Sequence, residues 1–531
     1  MGPETLIRGA RVVDGTGAPW FRADLRISSD GRIAAIGPAL SAHADETVID
    51  AAEAYLAPGF IDAHCHDDLI GLREPTRPEK LAQGVTTVVV GNCSFSLYPA
   101  VPTSREALRA HFSSLLGDTR PEEVFDDLAA YRAALHAGGI APNLVSLVGH
   151  AALRLAIVGQ EARPAREAEI ASMQALLARQ LTQGAAGLSL GLVYPPSAYA
   201  DRAELLALAE TVQAHGRLLT AHVRSYEAGL LTSIAEFLDL LRASGAAGLL
   251  SHLQAAGRPN WGSIPAALQM LEAARAEGID VSFDMYPYPA GSSYMLQLLP
   301  PAAQSGGMVA LRARLRDPEQ RAGLKRWVEE GGADPHQQSK VSLIGWGNVR
   351  LSAIGDATLK PLEGLSMTDA AARVAMTPFD LMTALIEADD GQTGIVLFQL
   401  DESDLRAACT HCLHMFGSDG LPRPGTKPHP RGFGAFPRAI RRLACEEGWF
   451  SLEDAVRRMT SMVAQRFGLG DRGVLRPGMV ADLVLFEATI ADQATFDEPT
   501  RLAAGVRQVW VAGETVFAEG QPTGRLPGRL I

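Results

Sequence analysis

Cysteine is scarce in this chain. Five in 531 residues (Cys65, Cys93, Cys409, Cys412, Cys445) are too few, and odd in number, for a disulfide scaffold. A reducing compartment is implied, and the cytoplasm is the expected location. Long blocks of like charge are missing as well, and the net charge of −12, from 48 basic and 60 acidic residues, recommends neither a phosphate backbone nor an anionic membrane as partner. No apolar run approaches the roughly 18 uncharged residues of a membrane span. Met1-Gly2-Pro3-Glu4-Thr5 lacks the basic and apolar regions of a secretion signal. Internal repeats and low-complexity tracts are absent, and residues 520–531 are expected to be a loose end. What remains is ordinary globular composition, 47% hydrophobic and 20% charged, with length enough for a large core and a smaller second domain.

The two ends of the chain read alike. Leu6-Ile7-Arg8-Gly9-Ala10-Arg11-Val12-Val13, Ala23-Asp24-Leu25-Arg26-Ile27 and the Asp-Gly pairs at Asp14-Gly15 and Asp30-Gly31 describe short antiparallel strands joined by tight turns. Such a piece cannot bury a sheet face alone. Strand patterns of the same kind return at 473–486 and 506–513, so residues 1–57 and 466–531 are expected to form one small β-sandwich around the intervening chain.

Between them, from 58 to 465, eight apolar runs alternate with helical stretches: 60–66, 85–93, 144–150, 186–191, 218–224, 248–253, 281–288 and 413–419. That alternation is the pattern of a parallel sheet, and eight repeats of it predict a TIM-like (β/α)8 barrel in an α/β protein. Residues 167–183 and 202–215, rich in Ala, Leu and Glu, supply two of the helices. The stretch from about 291 to 350 is too long for one helix and its loops. An insertion after the seventh strand lies at the catalytic mouth of a barrel, so a lid is expected there.

The organising segment is Pro58-Gly59-Phe60-Ile61-Asp62-Ala63-His64-Cys65-His66-Asp67-Asp68, an apolar run that enters two histidines and two acids. Alternate side chains of a strand share a face, so His64 and His66 are expected to point the same way as half of a metal site. A lone histidine at a strand end is ordinarily a satisfied polar residue; the pair is not. The other polar residues that end apolar runs are Cys93, His150, His222, His252 and Asp419, and in a barrel such residues converge on one mouth. Thiolate and imidazole suit zinc, and a carboxylate completes a hydrolytic site. Cys93 alone reads as a small buried hydrophobe, yet its place at the end of Val88-Val89-Val90-Gly91-Asn92 favours a ligand. His150 carries less weight. Cys409, His411, Cys412 and His414 lie at the start of the eighth strand and read as residues of the far end.

With these motifs on the page the chain resembles the N-acyl-D-amino-acid deacylase (D-aminoacylase) family of the amidohydrolase superfamily. The likeness is carried by the 58–68 segment, by Gly84-Val85-Thr86-Thr87-Val88-Val89-Val90-Gly91-Asn92-Cys93, by Gly187-Leu188-Ser189-Leu190-Gly191, by Ala221-His222-Val223-Arg224-Ser225, by Asp284-Met285-Tyr286-Pro287-Tyr288, by Gly417-Ser418-Asp419-Gly420 and by His429-Pro430-Arg431. The resemblance implies that Cys93, His222 and His252 hold a tightly bound zinc ion, that His64, His66 and Asp419 form a weaker second metal site, and that Asp419 is the general base in hydrolysis of a small-molecule amide. Tyr194, Arg224, Gln254, Tyr286, Ser292 and Arg431 are expected to line the substrate pocket.

One departure limits the transfer. Family members commonly follow the sixth-strand histidine with His-Lys, the lysine clamping the substrate α-carboxylate, whereas this chain has Ser251-His252-Leu253-Gln254. Either an arginine replaces that clamp or the substrate is a specialised amide without the carboxylate. Two other readings stand beside this one. A cyclic-amide hydrolase of the hydantoinase or dihydroorotase kind shares the His-x-His segment but wants a bridging lysine in place of Cys93, and a degenerate metal-binding scaffold would not need Asp419. Oligomeric state is left open.

Overall fold

The structure, a computed structural model, describes residues 4–334 and 336–531. It is a mixed α/β fold. The eight apolar runs all contribute strands, and these are parallel and buried on both faces. Val85–Val90 is buried at every position, as a β-branched run between helices and a packed interior should be. The strands Phe60–Asp62, Val85–Val90 and Asn143–Ser146 form a three-stranded sheet. Val148–Gly149, Gly187–Gly191, Leu218–His222, Ala247–Leu250, Val281–Met285 and His414–Phe416 follow one another in a six-stranded sheet. The ladders therefore make two parallel sheets and not one closed ring. Helices fill the connections: Glu167–Thr182 begins with Glu167 and Glu169 and ends with Arg179, charges that match the helix dipole. Arg202–Ala214 is capped by the Asp201 carboxylate, which accepts from the Glu204 N–H.

Strands from both ends of the chain share one nine-stranded sheet. Its seam is the antiparallel pairing of Tyr55–Pro58 with Leu483–Phe486, packed over Ile7, Leu25, Leu56, Leu483 and Trp510. The last residues are not loose. Leu144 donates to the Arg529 carbonyl and Ile531 to that of Leu144, both through backbone N–H groups, so the C-terminus lies along Asn143–Ser146.

The stretch expected as an insertion, about 291–350, pairs with a strand from beyond 350. Helices Gly307–Arg316, Pro318–Glu330 and Lys340–Ile344 are joined to a three-stranded antiparallel sheet in which Gly394–Leu397 lies between Gly291–Tyr294 and Val349–Ala353. The unit reaches past 350 because its central strand comes from residues beyond that boundary. Among the described residues no helix is long and apolar enough to cross a membrane.

Candidate metal centre

The first strand stops at Asp62, so His64 and His66 sit in the loop beyond it and the alternation expected of a strand does not apply to them. The Asp62 carboxylate at the strand's end is wholly buried. It accepts from Ser418 N at 2.7 Å, Ser418 Oγ at 2.5 Å, Lys80 Nζ at 2.7 Å and, more weakly, His64 N at 3.3 Å. The loop is then tied to the one after the eighth strand: Asp419 N donates to the His64 carbonyl (2.7 Å) and His66 N to that of Gly420 (3.0 Å). The two imidazoles still meet, with centroids 5.6 Å apart.

Cys93 lies in the turn Asn92–Ser94 past the second strand, at φ 52°. Gly91 before it has φ 80°, and a Cβ there would stand 2.2 Å from the Leu147 carbonyl oxygen, so only glycine lets the turn close. Asn92 Nδ2 fastens it to the carbonyls of Val89 (2.8 Å) and Cys65 (3.2 Å). His252 (φ 35°) and Asp419 (φ 47°) also sit in the left-handed region. Each such residue costs about 1–3 kcal/mol and persists only where its surroundings over-determine it. Three of them just past the ends of parallel strands mark a functional site.

Cys93 Sγ is 3.3 Å from His64 Nε2 and 3.4 Å from His252 Nε2. Two donor groups lie within mutual reach of 4.8 Å: His64, Cys93 and His252, and His64, His66 and Asp419. His222 stands beside the first group, its ring centroid 4.5 Å from that of His252. Ligands at ~2.0–2.3 Å from one ion in tetrahedral array are separated by roughly 3.5 Å, which these N–S spacings approach. The Nδ1 atoms of His66, His222 and His252 are buried without a hydrogen-bond partner. The donor set, one thiol with imidazole nitrogens and a carboxylate, fits a zinc ion.

Burial lowers both His222 and His252, the first well below its usual pKa with Lys340 pushing the same way, the second to about 4. Neutral imidazole is the ligating form. Burial works against the imidazolium of His64 too, but Asp284 and Cys93 outweigh it and raise that ring well above its usual value. The same burial pushes the Cys93 thiol up to about 11 against the pull of His64. At Asp419 burial opposes the charge; Arg431 Nη2, 2.8 Å from Oδ2, and His66 Nε2, 3.3 Å from Oδ1, overcome it and hold the carboxyl well below the ordinary range.

A cavity of about 30 Å³ opens over these donors, lined among others by Tyr194, Gln254, Tyr286 and Ser292. The Tyr286 hydroxyl donates to Gln254 Oε1 (2.9 Å) and the Ser292 hydroxyl to the Ile395 carbonyl (2.9 Å). Arg431 is not on that wall: it is buried against Asp419, with its guanidinium carbon 4.3 Å from the Tyr286 ring centre. Arg224 lines an outer chamber of about 180 Å³ that shares Tyr194, Gln297 and Lys340 with the inner one. Its guanidinium is already engaged, by Glu236 (3.0 Å) and by the carbonyls of Ala198 (3.0 Å) and Ala200 (2.7 Å). His150 belongs to another network, with Glu204 Oε1 at 2.7 Å and Ser197 Oγ at 2.9 Å. His414 Nε2 faces the Met285 carbonyl at the opposite end of the sixth sheet strand.

Three participants escaped the sequence. Asp284 Oδ1 accepts from His252 N (2.9 Å) and Oδ2 lies 3.3 Å from His64 Nδ1, so one carboxylate positions two donors. Its place in the Asp284-Met285-Tyr286-Pro287-Tyr288 motif was the available signal. Lys340 and Gln399, from the insertion, line the cavity with no local signal in the sequence.

A family model described as the amidohydrolase family matches residues 47–295 and 371–517. The N-acyl-D-glutamate deacylase of Alcaligenes xylosoxydans xylosoxydans is 37% identical over 99% of this chain and 96% of its own length. The D-aminoacylase of the same organism is 36% identical, over 99% and 97%. Among solved structures, the N-acyl-D-glutamate deacylase of Bordetella bronchiseptica, complexed with zinc and a phosphonate inhibitor that mimics the tetrahedral intermediate, superposes with a TM-score of 0.84 at 36% identity, covering 100% of this chain and 99% of that one.

Proposed function

The chain belongs to the amidohydrolase family, and we propose that it removes the acyl group from N-acyl-D-amino acids by zinc-dependent hydrolysis of the amide bond. The convergence of Cys93, His64, His252, His66 and Asp419 at one mouth carries the proposal. Cys93, His222 and His252 are assigned to a tightly bound zinc and His64, His66 and Asp419 to a weaker second ion. A zinc ion held there supplies Lewis acidity toward the scissile carbonyl and draws the pKa of a water toward ~7. Asp419 takes a proton from the attacking water and passes it to the departing amine nitrogen. Arg431, on Oδ2, keeps that carboxylate charged between turnovers. Tyr194, Gln254, Tyr286 and Ser292 form the wall against which the substrate lies. No lysine follows Gly187–Gly191, where Leu192 and Val193 continue the chain, so the bridging lysine of the cyclic-amide readings has no counterpart.

The two parallel sheets are read as arcs of one (β/α)8 barrel, residues 58–465. Backbone contacts between them support this: Ala63 N donates to the Phe416 carbonyl (3.2 Å), Leu147 N to that of Val90 (2.9 Å) and Ala186 N to that of Ser146 (2.8 Å). Residues 1–57 and 466–531 are assigned to the β domain and the insertion to a lid over the mouth. The test is a screen of zinc-loaded protein against N-acyl-D-amino acids and their L-enantiomers. Turnover of the D-series with loss of activity on chelation is the expected result; hydrolysis of neither series would sink the assignment.

A further inference from the structure

The inner cavity is lined by neutral hydrogen-bonding side chains, Gln254, Gln297 and Gln399 among them, and by one cation, Lys340. Lys340 opens the short helix Lys340–Ile344 of the insertion, and its side chain is nine-tenths buried. Its Nζ donates to Glu227 Oε1 at 2.5 Å. Glu227 is held in turn, Oε2 accepting from Ser225 Oγ (3.0 Å) and Tyr226 N (3.2 Å). An ammonium has three N–H donors. Glu227 is its hydrogen-bond acceptor among the described residues, which leaves two donors for the cavity that Lys340 lines. Of the nearby arginines, Arg224 is engaged by Glu236 and two carbonyls, and Arg431 is ion-paired with Asp419 and does not line the cavity. Lys340 also lies between the two segments matched by the family model, 47–295 and 371–517.

We propose that Lys340 is a specificity-determining residue that receives the carboxylate of the amino-acid half of the substrate, the duty that Gln254 cannot perform. This rests on the deacylase assignment above. Glu227 keeps the ammonium aimed at the cavity when it is empty, and the substrate carboxylate joins as a second acceptor. The selecting charge is thereby carried by the insertion, while the chemistry is carried by the strand ends.

The experiment compares kcat/KM for an N-acetyl-D-amino acid with an uncharged side chain and for its carboxamide, in wild type, Lys340→Met and Lys340→Arg, at equal zinc content. Loss of a charge-assisted contact should lower the free-acid value about ten- to hundredfold in Lys340→Met, mainly through KM. The carboxamide value should stay close to wild type, and Lys340→Arg should recover part of the loss. Equal falls for acid and carboxamide would make Lys340 merely structural, and no fall for either would remove it from the site; both outcomes overturn the inference while leaving the deacylase assignment standing. Turnover of neither substrate by zinc-loaded wild type would overturn both.

Discussion

The mouth and the roof of the site are built from different bonds. At the mouth the donors are fixed by main chain and by fully buried carboxylates: Asp62 gathers Ser418, Lys80 and His64, and the loops after the first and eighth strands exchange backbone hydrogen bonds. The roof meets the body partly through backbone bonds, such as Gly306 N to the Gln160 carbonyl (3.2 Å), and over the site itself through side chains on the loop after the fifth strand and the helix that follows it. Gln338 Oε1 accepts from Ala228 N at 3.2 Å, His336 Nδ1 lies 3.4 Å from Ser233 Oγ, and Lys340 pairs with Glu227. A framework of the first kind holds reacting groups to a fraction of an ångström. One of the second kind opens locally at small cost. Damage to the mouth should therefore abolish turnover of every substrate, and damage to the roof should alter which substrates are accepted.

The largest expected effects fall on the mouth. Cys93→Ala should strip the tight zinc and with it all activity, while circular dichroism stays native; undiminished zinc by elemental analysis would return Cys93 to the core. Asp419→Asn keeps the shape but cannot take the proton, and kcat should fall by roughly 10²–10⁴. Activity within tenfold of wild type, a barrier change of about 1.4 kcal/mol, is too small for loss of the general base. The geometry also sets His222 against His64 as third ligand of the tight ion, because it is His64 that shares a donor group with Cys93 and His252. Zinc content should drop further in His222→Ala than in His64→Ala, and the reverse order would reassign the two sites.

Beneath the mouth the expected effect is on stability. Lys80 is wholly buried between Asp62 and Ser418. Lys80→Met leaves the Asp62 carboxylate without its charge partner, a change worth about 3–5 kcal/mol in unfolding free energy. Denaturant titration measures it, and a shift under 1 kcal/mol, roughly the value of an exposed pair, would mean that water reaches Asp62. Asp284→Asn is a smaller perturbation. It weakens the hold on His64 and His252 and should cost about ten- to hundredfold in zinc affinity or kcat, without changing the preference for free acid over carboxamide.

Much of the mouth was legible in the sequence because the residues that build it are local to strong signals. Every apolar run contributes a strand, and Cys93, His252 and Asp419, at the ends of three of them, lie in the donor groups. The finer geometry was not legible. His64 and His66 fall outside their strand, in a loop fixed through the bond of Asp62 to Ser418, a partner 356 positions away. Asp284 was passed over because it lies inside the run 281–288 rather than after it. The roof was the poorest reading for a physical reason. Its sheet pairs Gly291–Tyr294 with Gly394–Leu397, segments about a hundred residues apart whose short apolar patterns carry no mark of each other. Lys340 looks like any surface lysine until the fold brings Glu227 beside it.

The smallest expected effect sharpens the contrast from the roof side. Gln338→Ala removes one neutral hydrogen bond to a loop N–H, worth about 1 kcal/mol. If the roof opens as a unit of its own, that loss should raise the population of the open form about fivefold. Limited proteolysis within the insertion should quicken by a similar factor, whereas the global unfolding midpoint should barely move, since the parallel sheets keep all their contacts. A bound product amino acid should slow the cleavage again, by giving Lys340 a second acceptor and so drawing the roof down. The same substitution ought to leave zinc content and kcat near wild type. Cleavage indifferent both to Gln338→Ala and to product would mean that the insertion is as rigid as the mouth, and the division of labour between the two would have to be given up.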